Sequence, residues 1–308
     1  MYYIKSIRPF NLVIVALTQL LLYYIVILPS LEYAEVTNLL NPFLLIFLVI
    51  DTMLIAASGY VINDVIDEES DQINNKLKEG FVSEKAQIWY VFLVILSMLI
   101  ALFIAYKIDN LALFMLNPFA ILLLFLYSKY FKKMALLGNI VVALFCAFVP
   151  GILWFAERKA YQSYLDSDVF DLLTHNLGGF MAFGFMATMY REIVKDIEDI
   201  NGDKLANYRT LPVEWGLERA KIAALFFGFL FLLLEFVWCN ATAKDVHVTL
   251  TVIFIGIVIL PTIYTLRKLF KANVSTDFGH ISKSIKGIML TGLIYLLVLF
   301  FYEFSDKI

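Results

Sequence analysis

Apolar residues in this chain come in long unbroken runs, and nearly all the charge is confined to short islands between them. Nine runs stand out, at about 10–28, 39–62, 88–106, 111–127, 134–156, 174–190, 220–239, 246–266 and 286–302. Each is close to the roughly 20 residues that carry a helix across a bilayer. Transmembrane β-strands would alternate polar and apolar positions over shorter segments, and these runs do not. The pattern therefore predicts an all-α polytopic membrane protein, nine transmembrane helices in a bundle. No low-complexity stretch or Pro/Gly-rich linker interrupts it, so residues 1–308 read as a single domain. Lys5 and Arg8 ahead of the first run resemble the start of a signal peptide. That run is too long for an h-region and no small-residue cleavage site follows, so an uncleaved first helix is expected.

Composition agrees. Of 308 residues 61% are hydrophobic and 17% charged, against about a quarter charged in soluble chains. With nine spans, 19 of the 24 Lys and Arg residues fall on the side of the N-terminus. The other side holds Lys107, Arg158, Lys159, Lys244 and Lys307. The positive-inside rule then puts the N-terminus in the cytoplasm and the C-terminus outside, in a bacterial or archaeal plasma membrane. The net charge of −3 adds nothing to this; no nucleic-acid partner and no obligatory protein partner is expected. Cys146 and Cys239 lie inside predicted spans and give no disulfide signal. His175, His247 and His280 are too scattered for a zinc site.

One acidic pattern is written twice. Asn63-Asp64-Val65-Ile66-Asp67-Glu68-Glu69-Ser70-Asp71 and Lys195-Asp196-Ile197-Glu198-Asp199-Ile200-Asn201-Gly202-Asp203 both place aspartates at i, i+3 and i+7, and equivalent residues are 132 apart. On a helix this spacing gathers three carboxylates on one face, where they repel unless a cation compensates them. Both copies end an apolar run and both fall on the cytoplasmic side. An even number of spans separates them, so the offset suggests two parallel four-helix halves with a ninth helix appended. Mg²⁺ suits such oxygen donors, binding through a few carboxylates and substrate phosphates, whereas neither copy fits a calcium loop. Arg191 and Lys195 stand one turn apart before the second copy, and Arg209 follows it, within reach of diphosphate oxygens. A metal-bound diphosphate beside a lipid-exposed bundle points to a prenyl diphosphate with its tail in the membrane. The connections 63–87, 191–219 and 267–285 are expected as long cytoplasmic loops. Asp166, Asp168 and Asp171 are expected in a solvated loop outside. Asp51 and Glu235 lie within predicted spans, as functional groups or as interhelical hydrogen-bond partners.

These residues carry a resemblance. Asn63-Asp64 through Asp67 to Asp71 resembles the first signature of the UbiA family of intramembrane prenyltransferases, and Arg191-Glu192 through Asp203, with Arg209-Thr210-Leu211-Pro212, resembles the second. Arg8-Pro9-Phe10-Asn11-Leu12 is similar to the family's first-helix entry. Tyr127-Ser128, then Leu136-Leu137-Gly138-Asn139, is similar to the stretch joining its fourth and fifth helices. The likeness spans nearly the whole chain. It implies that Asn63, Asp67, Asp196, Asp199 and Asp203 hold two Mg²⁺, with Asp64 and Asp71 in support. The residues implied for the diphosphate and substrate are Arg8, Asn11, Tyr127, Ser128, Lys129, Arg191, Lys195 and Arg209, and Asp67, Asp71, Asp199 and Asp203 form the catalytic set. Where family members often carry Pro-Arg-Pro after the first signature, this chain has Asn75-Lys76-Leu77-Lys78-Glu79-Gly80, without the rigid turn.

The implied reaction ionises an allylic C–O bond, with Mg²⁺ and basic residues stabilising the departing diphosphate and aromatic faces the allylic cation. The form of the second signature is most similar to the branch that transfers geranylgeranyl to geranylgeranylglyceryl phosphate. Branches acting on 4-hydroxybenzoate or dihydroxynaphthoate share the metal motifs, so an aromatic acceptor remains the alternative to a small lipid. A secondary transporter, the reading from another class, would place its acids near the membrane midplane rather than at helix ends.

Overall fold

The computed structural model describes residues 2–68, 72, 80–161, 168–242 and 247–305. Among these the long elements are all helices: α1 (Pro9–Tyr33), α2 (Pro42–Ile66), α3 (Ser83–Lys107), α4 (Leu111–Lys129), α5 (Leu137–Tyr161), α6 (Asp168–Leu205), α7 (Leu217–Thr242), α8 (Val248–Lys271) and α9 (Ser275–Ser305). Eight are long and apolar enough to cross a membrane. The remaining predicted span, 174–190, lies within α6, and its apolar run is diluted by Thr174, His175, Asn176, Gly178, Gly179 and Gly184.

Two of the predicted cytoplasmic loops are largely helix. α6 continues to Leu205, a short helix covers Leu211–Trp215, and α9 begins at Ser275. Hydropathy marks where a helix meets lipid, but its i to i−4 hydrogen bonds continue into polar sequence without a break. α1 and α8 each contain a π-turn, Tyr23–Ile27 and Ile255–Ile259, just ahead of Pro29 and Pro261. Widening the preceding turn accommodates a ring that would collide with the carbonyl four residues back.

The described chain forms two compact units, Met1–Tyr23 with Ile27–Phe131 and Ile152–Leu173, and Tyr24–Val26 with Lys132–Gly151 and Thr174–Ile308. The described part of the first acidic copy belongs to the former and the second copy to the latter. Lipid tails are as apolar as leucine, so helices here associate through close packing and polar contacts rather than hydrophobic transfer. In the first unit Leu12, Ala57, Val61, Ala86 and Leu93 form a buried cluster joining α1, α2 and α3. In the second, the backbone of α7 approaches its neighbours at Gly228, where a Cβ would lie 2.7 Å from Leu266 and 3.0 Å from the Tyr190 ring. Only glycine fits there.

Polar side chains inside the first unit bind helices together. Asp51 of α2 accepts hydrogen bonds from Ser97 Oγ of α3 at 2.6 Å and Asn117 Nδ2 of α4 at 2.9 and 3.0 Å. Of the two roles open to Asp51 in the sequence, the structure gives it the interhelical one. Glu157, fully buried near the end of α5, accepts from Tyr23 Oη at 2.9 Å and from the backbone N–H groups of Leu39 and Leu40 at 2.8 and 2.9 Å. It thereby fixes the turn between α1 and α2.

Replacing Asp51 with Ala strands two buried donors. Thermal unfolding in detergent should show a loss of about 1–2 kcal/mol, and Asp51→Asn, which keeps one acceptor oxygen, should lose less. Equal stability of all three proteins would remove the clamp from the account.

Candidate active site

In the first unit the residues singled out in the sequence lie at the ends of α2 and α4, and in the second at the end of α6. α2 ends at Ile66 with Asp67 as its C-cap, whose N–H still reaches the Asn63 carbonyl at 2.9 Å. Among the described residues of the first copy, Asp64 lies within α2 and Asp67 caps it, so the expected helical face holds for these two. Asn63 Nδ2 donates to Asp67 Oδ2 at 2.8 Å, and Asp64 is buried. Asp71, Lys76 and Lys78 lie outside the described residues.

Arg8 adjoins this end of the first unit. It caps α1 in the left-handed region, with φ of 50°, a conformation that costs an L-residue about 1–2 kcal/mol. The strained backbone carries its guanidinium to 4.6 Å from the Tyr60 ring, and Asn11 Nδ2 donates to Tyr60 Oη at 3.3 Å. Strain held in place by packing often marks a functional residue. On α4, Tyr127 is half-buried, and Ser128 is buried with no hydrogen-bond partner for its hydroxyl. Lys129 is exposed and lies over Phe125 and Tyr130, at 5.7 and 5.3 Å from the ring centres.

The second array is presented by the far end of α6, so Asp196, Asp199 and Asp203 do lie on one continuous helix as the spacing predicted. Asp196 Oδ2 accepts from Asn139 Nδ2 of α5 at 2.8 Å, and Asp203 Oδ2 accepts from Thr210 Oγ1 at 2.8 Å. Asp199 and Lys195 are exposed. Burial, together with the nearby negative charges of Glu192 and Asp203, pushes Asp196 up to about 7. Arg191 pairs through Nη1 with neighbouring Glu192, while its buried Nε has no hydrogen-bond partner.

Beyond α6 the chain is tied back to the entrance of α5. Arg209 N donates to the Lys133 carbonyl at 2.9 Å within an isolated parallel bridge between Met134 and Arg209. The Lys133 ammonium sits 5.3 Å from the centre of the Tyr208 ring. Leu136 and Asn207 take left-handed conformations, φ 61° and 55°, to close these turns. The Arg209 side chain is 80% exposed and pairs with Glu214 at 2.6 Å.

Among the described residues no three carboxylates are drawn close enough together to enclose a metal ion. The donor set nevertheless suits a hard divalent cation. Its carboxylate oxygens are held from behind by Asn139 and Thr210, and Asp196 carries uncompensated negative surroundings that a cation would relieve. Asn139, Thr210 and Tyr60 took no role in the sequence reading. Each is a neutral residue whose importance lies in the side chain it meets from another part of the chain.

Residues 13–282 match the model of the UbiA prenyltransferase family. The chain belongs to that family. It is 34% identical to digeranylgeranylglyceryl phosphate synthase of Pyrococcus furiosus over 184 residues, 58% of this chain and 60% of that protein. The chain thus spans about three-fifths of that relative's length. Its fold resembles a solved structure of digeranylgeranylglyceryl phosphate synthase, with TM-score 0.68 and 22% identity over 96% of both chains. It also resembles a UbiA homologue of Archaeoglobus fulgidus bound to DMAPP and Mg²⁺, with TM-score 0.56 and 18% identity over 97% of this chain and 99% of that one.

If Asn139 aims the Asp196 carboxylate, Asn139→Leu should weaken Mg²⁺ binding roughly 10- to 100-fold while leaving the metal-free protein as stable as before. Magnesium titration followed by thermal shift reads both quantities. Unchanged affinity would make the Asn139 contact a packing feature only.

Proposed function

We propose that this UbiA-family protein is a Mg²⁺-dependent prenyltransferase that moves a geranylgeranyl group from its diphosphate to the hydroxyl of a small lipid. The observation that carries the reading is the second array. Three aspartates end one helix, braced by Asn139 and Thr210, with the buried, unpartnered Nε of Arg191 less than two turns away. The DMAPP and Mg²⁺ bound by the Archaeoglobus homologue support a prenyl diphosphate donor and the same cation here. In this reading α6 supplies the ninth span, the active site and N-terminus are cytoplasmic, and the whole chain works as one domain.

Asn63, Asp64, Asp67, Asp71, Asp196, Asp199 and Asp203 would hold the metal, which when bound neutralises diphosphate charge as the leaving group departs. Arg191 turns its guanidinium from Glu192 towards the diphosphate oxygens, helped by Lys195, Arg209 and Arg8. The Ser128 hydroxyl, buried without a partner, would be a donor for such a group. As the allylic C–O bond breaks, its electron pair leaves with the diphosphate. The acceptor oxygen then bonds to the allylic carbon and releases its proton. Donors fixed before the reaction lower the barrier because they need not reorganise as charge develops.

The acceptor follows from two supports. The curated relative is a digeranylgeranylglyceryl phosphate synthase, and Lys129 and Arg209 supply more basic groups than one diphosphate requires. Geranylgeranylglyceryl phosphate is therefore preferred to 4-hydroxybenzoate or dihydroxynaphthoate. Turnover of the three acceptors with geranylgeranyl diphosphate ranks them directly, and faster reaction of either aromatic would reverse the choice.

Asp67→Ala and Asp199→Ala should each lower kcat by on the order of 10²- to 10³-fold in protein that stays folded in detergent. If the two arrays serve one diphosphate, the double variant should lose little more than either single one, because groups acting as a unit are not additive. Near-normal turnover in both single variants would reduce the aspartates to surface charge.

A further inference from the structure

The second unit holds a cleft of about 450 Å³ where α8 ends and α9 begins, lined by Tyr264, Thr265, Lys268, His280, Ile281, Lys283 and Ser284. Tyr264 and Lys268 are one turn apart on α8, and His280, Lys283 and Ser284 share one face of α9. The lining thus brings two lysines and a histidine together with three hydroxyls and no carboxylate. Asp277, in the first turn of α9, accepts from the backbone N–H groups of Asn273 and Val274 at 3.2 and 3.4 Å and is occupied in ending its own turn. Glu198 lies against Gly279; neither acid lines the cleft. The Lys268 ammonium lies 5.1 Å from the centre of the Tyr264 ring and feels the charge of Asp277, but with no carboxylate in the lining the two lysines leave positive charge in the cleft that suits an anion.

Surroundings decide what kind of anion. Leu260, Ile263 and Tyr264 are 56%, 40% and 54% exposed on the turns of α8 that lead up to Lys268. They make a continuous apolar path from a spanning helix to the cations. Thr265 and Ile281 form a buried floor. The hydroxyls of Thr265 and Ser284 donate to the carbonyls of Thr262 and His280 at 2.8 and 2.9 Å, so their contribution to a ligand is orientation rather than charge. Ser275 Oγ donates to the Glu198 carbonyl at 2.9 Å, tying the start of α9 to the acidic end of α6. The cleft therefore lies at the same end of its unit as the second aspartate array.

We propose that this cleft binds the phosphate of an anionic phospholipid headgroup, its acyl chains lying along the apolar face of α8. A basic recess between membrane helices at the cytoplasmic surface is suited to that class of ligand. The site is separate from prenyl transfer, since none of its lining residues is assigned to the diphosphate or the metal.

The test measures lipid retained by the full-length protein, by native mass spectrometry from detergent containing equal phosphatidylglycerol and phosphatidylcholine. The wild-type protein is expected to retain phosphatidylglycerol preferentially, and the absence of any preference would overturn the proposal. K268Q/K283Q should reduce that preference roughly tenfold or more. R267Q/K271Q removes the same charge from residues outside the lining and should keep it. An equal loss in both pairs, or no loss in the first, would make the cleft ordinary basic surface. Inorganic phosphate displacing the lipid at equal concentration would overturn the headgroup assignment in favour of a free phosphate.

Discussion

Charge in hydrocarbon has to be compensated where it stands, and that constraint organises this protein. An ionised or polar group away from water costs several kcal/mol unless hydrogen bonds or an opposite charge replace its solvation. The chain meets the demand in distinguishable ways. Asp51 is closed by donors from two other helices and becomes a clamp. Glu157 is closed by a tyrosine and two backbone N–H groups and becomes an anchor for a turn. Glu235 is half closed: Thr262 donates to one oxygen at 2.7 Å and the other has no hydrogen-bond partner. Asp196 and Asp203 are supported by Asn139 and Thr210, and Asp199 between them is exposed on the same helix end. What separates a structural acid from a functional one here is how far its acceptor sites are already filled.

Rigidity of the second array follows from helix continuity and one long-range tie. α6 runs without interruption from its apolar stretch into the acidic segment, so the aspartates inherit the geometry of a packed helix rather than of a loop. The return of Arg209 to the Lys133 carbonyl brings Thr210 back to Asp203 and holds the exit of α6 beside the entry of α5. The Asn139 contact depends on that same α5 entry. Functional residues carried by helices are positioned more closely than residues on free loops, and this unit builds its site almost wholly from helix ends.

Basic residues divide along similar lines. Lys221 is buried and donates to the Ala272 carbonyl at 2.9 Å, closing the end of α8. Lys159 pairs with Asp109 at 2.8 Å on the exposed surface, lowering that aspartate by hydrogen bond and charge, a contact worth little to stability. Arg191 and the lysines of the α8–α9 cleft differ from both. Arg191 keeps a buried Nε without a hydrogen-bond partner, and the cleft holds two lysines with no carboxylate in its lining.

Periodicity and composition by themselves determined that this is a helical membrane protein, and the repeated aspartate spacing with its flanking Arg191 and Lys195 pointed to the segments on which the proposed chemistry rests. Those signals are local, because hydropathy and an i, i+3, i+7 spacing are properties of neighbouring residues. Helix lengths past the lipid boundary were not legible, since backbone hydrogen bonding ignores polarity. That α2 ends at Ile66 with Asp67 as its cap was likewise not legible from the spacing. The roles of Asp51, Asn139, Thr210 and Glu157 were decided only by the tertiary structure. Each depends on a partner from 7 to 134 residues away, and a buried hydrogen bond is a fact about two groups brought together by packing, which no single position records.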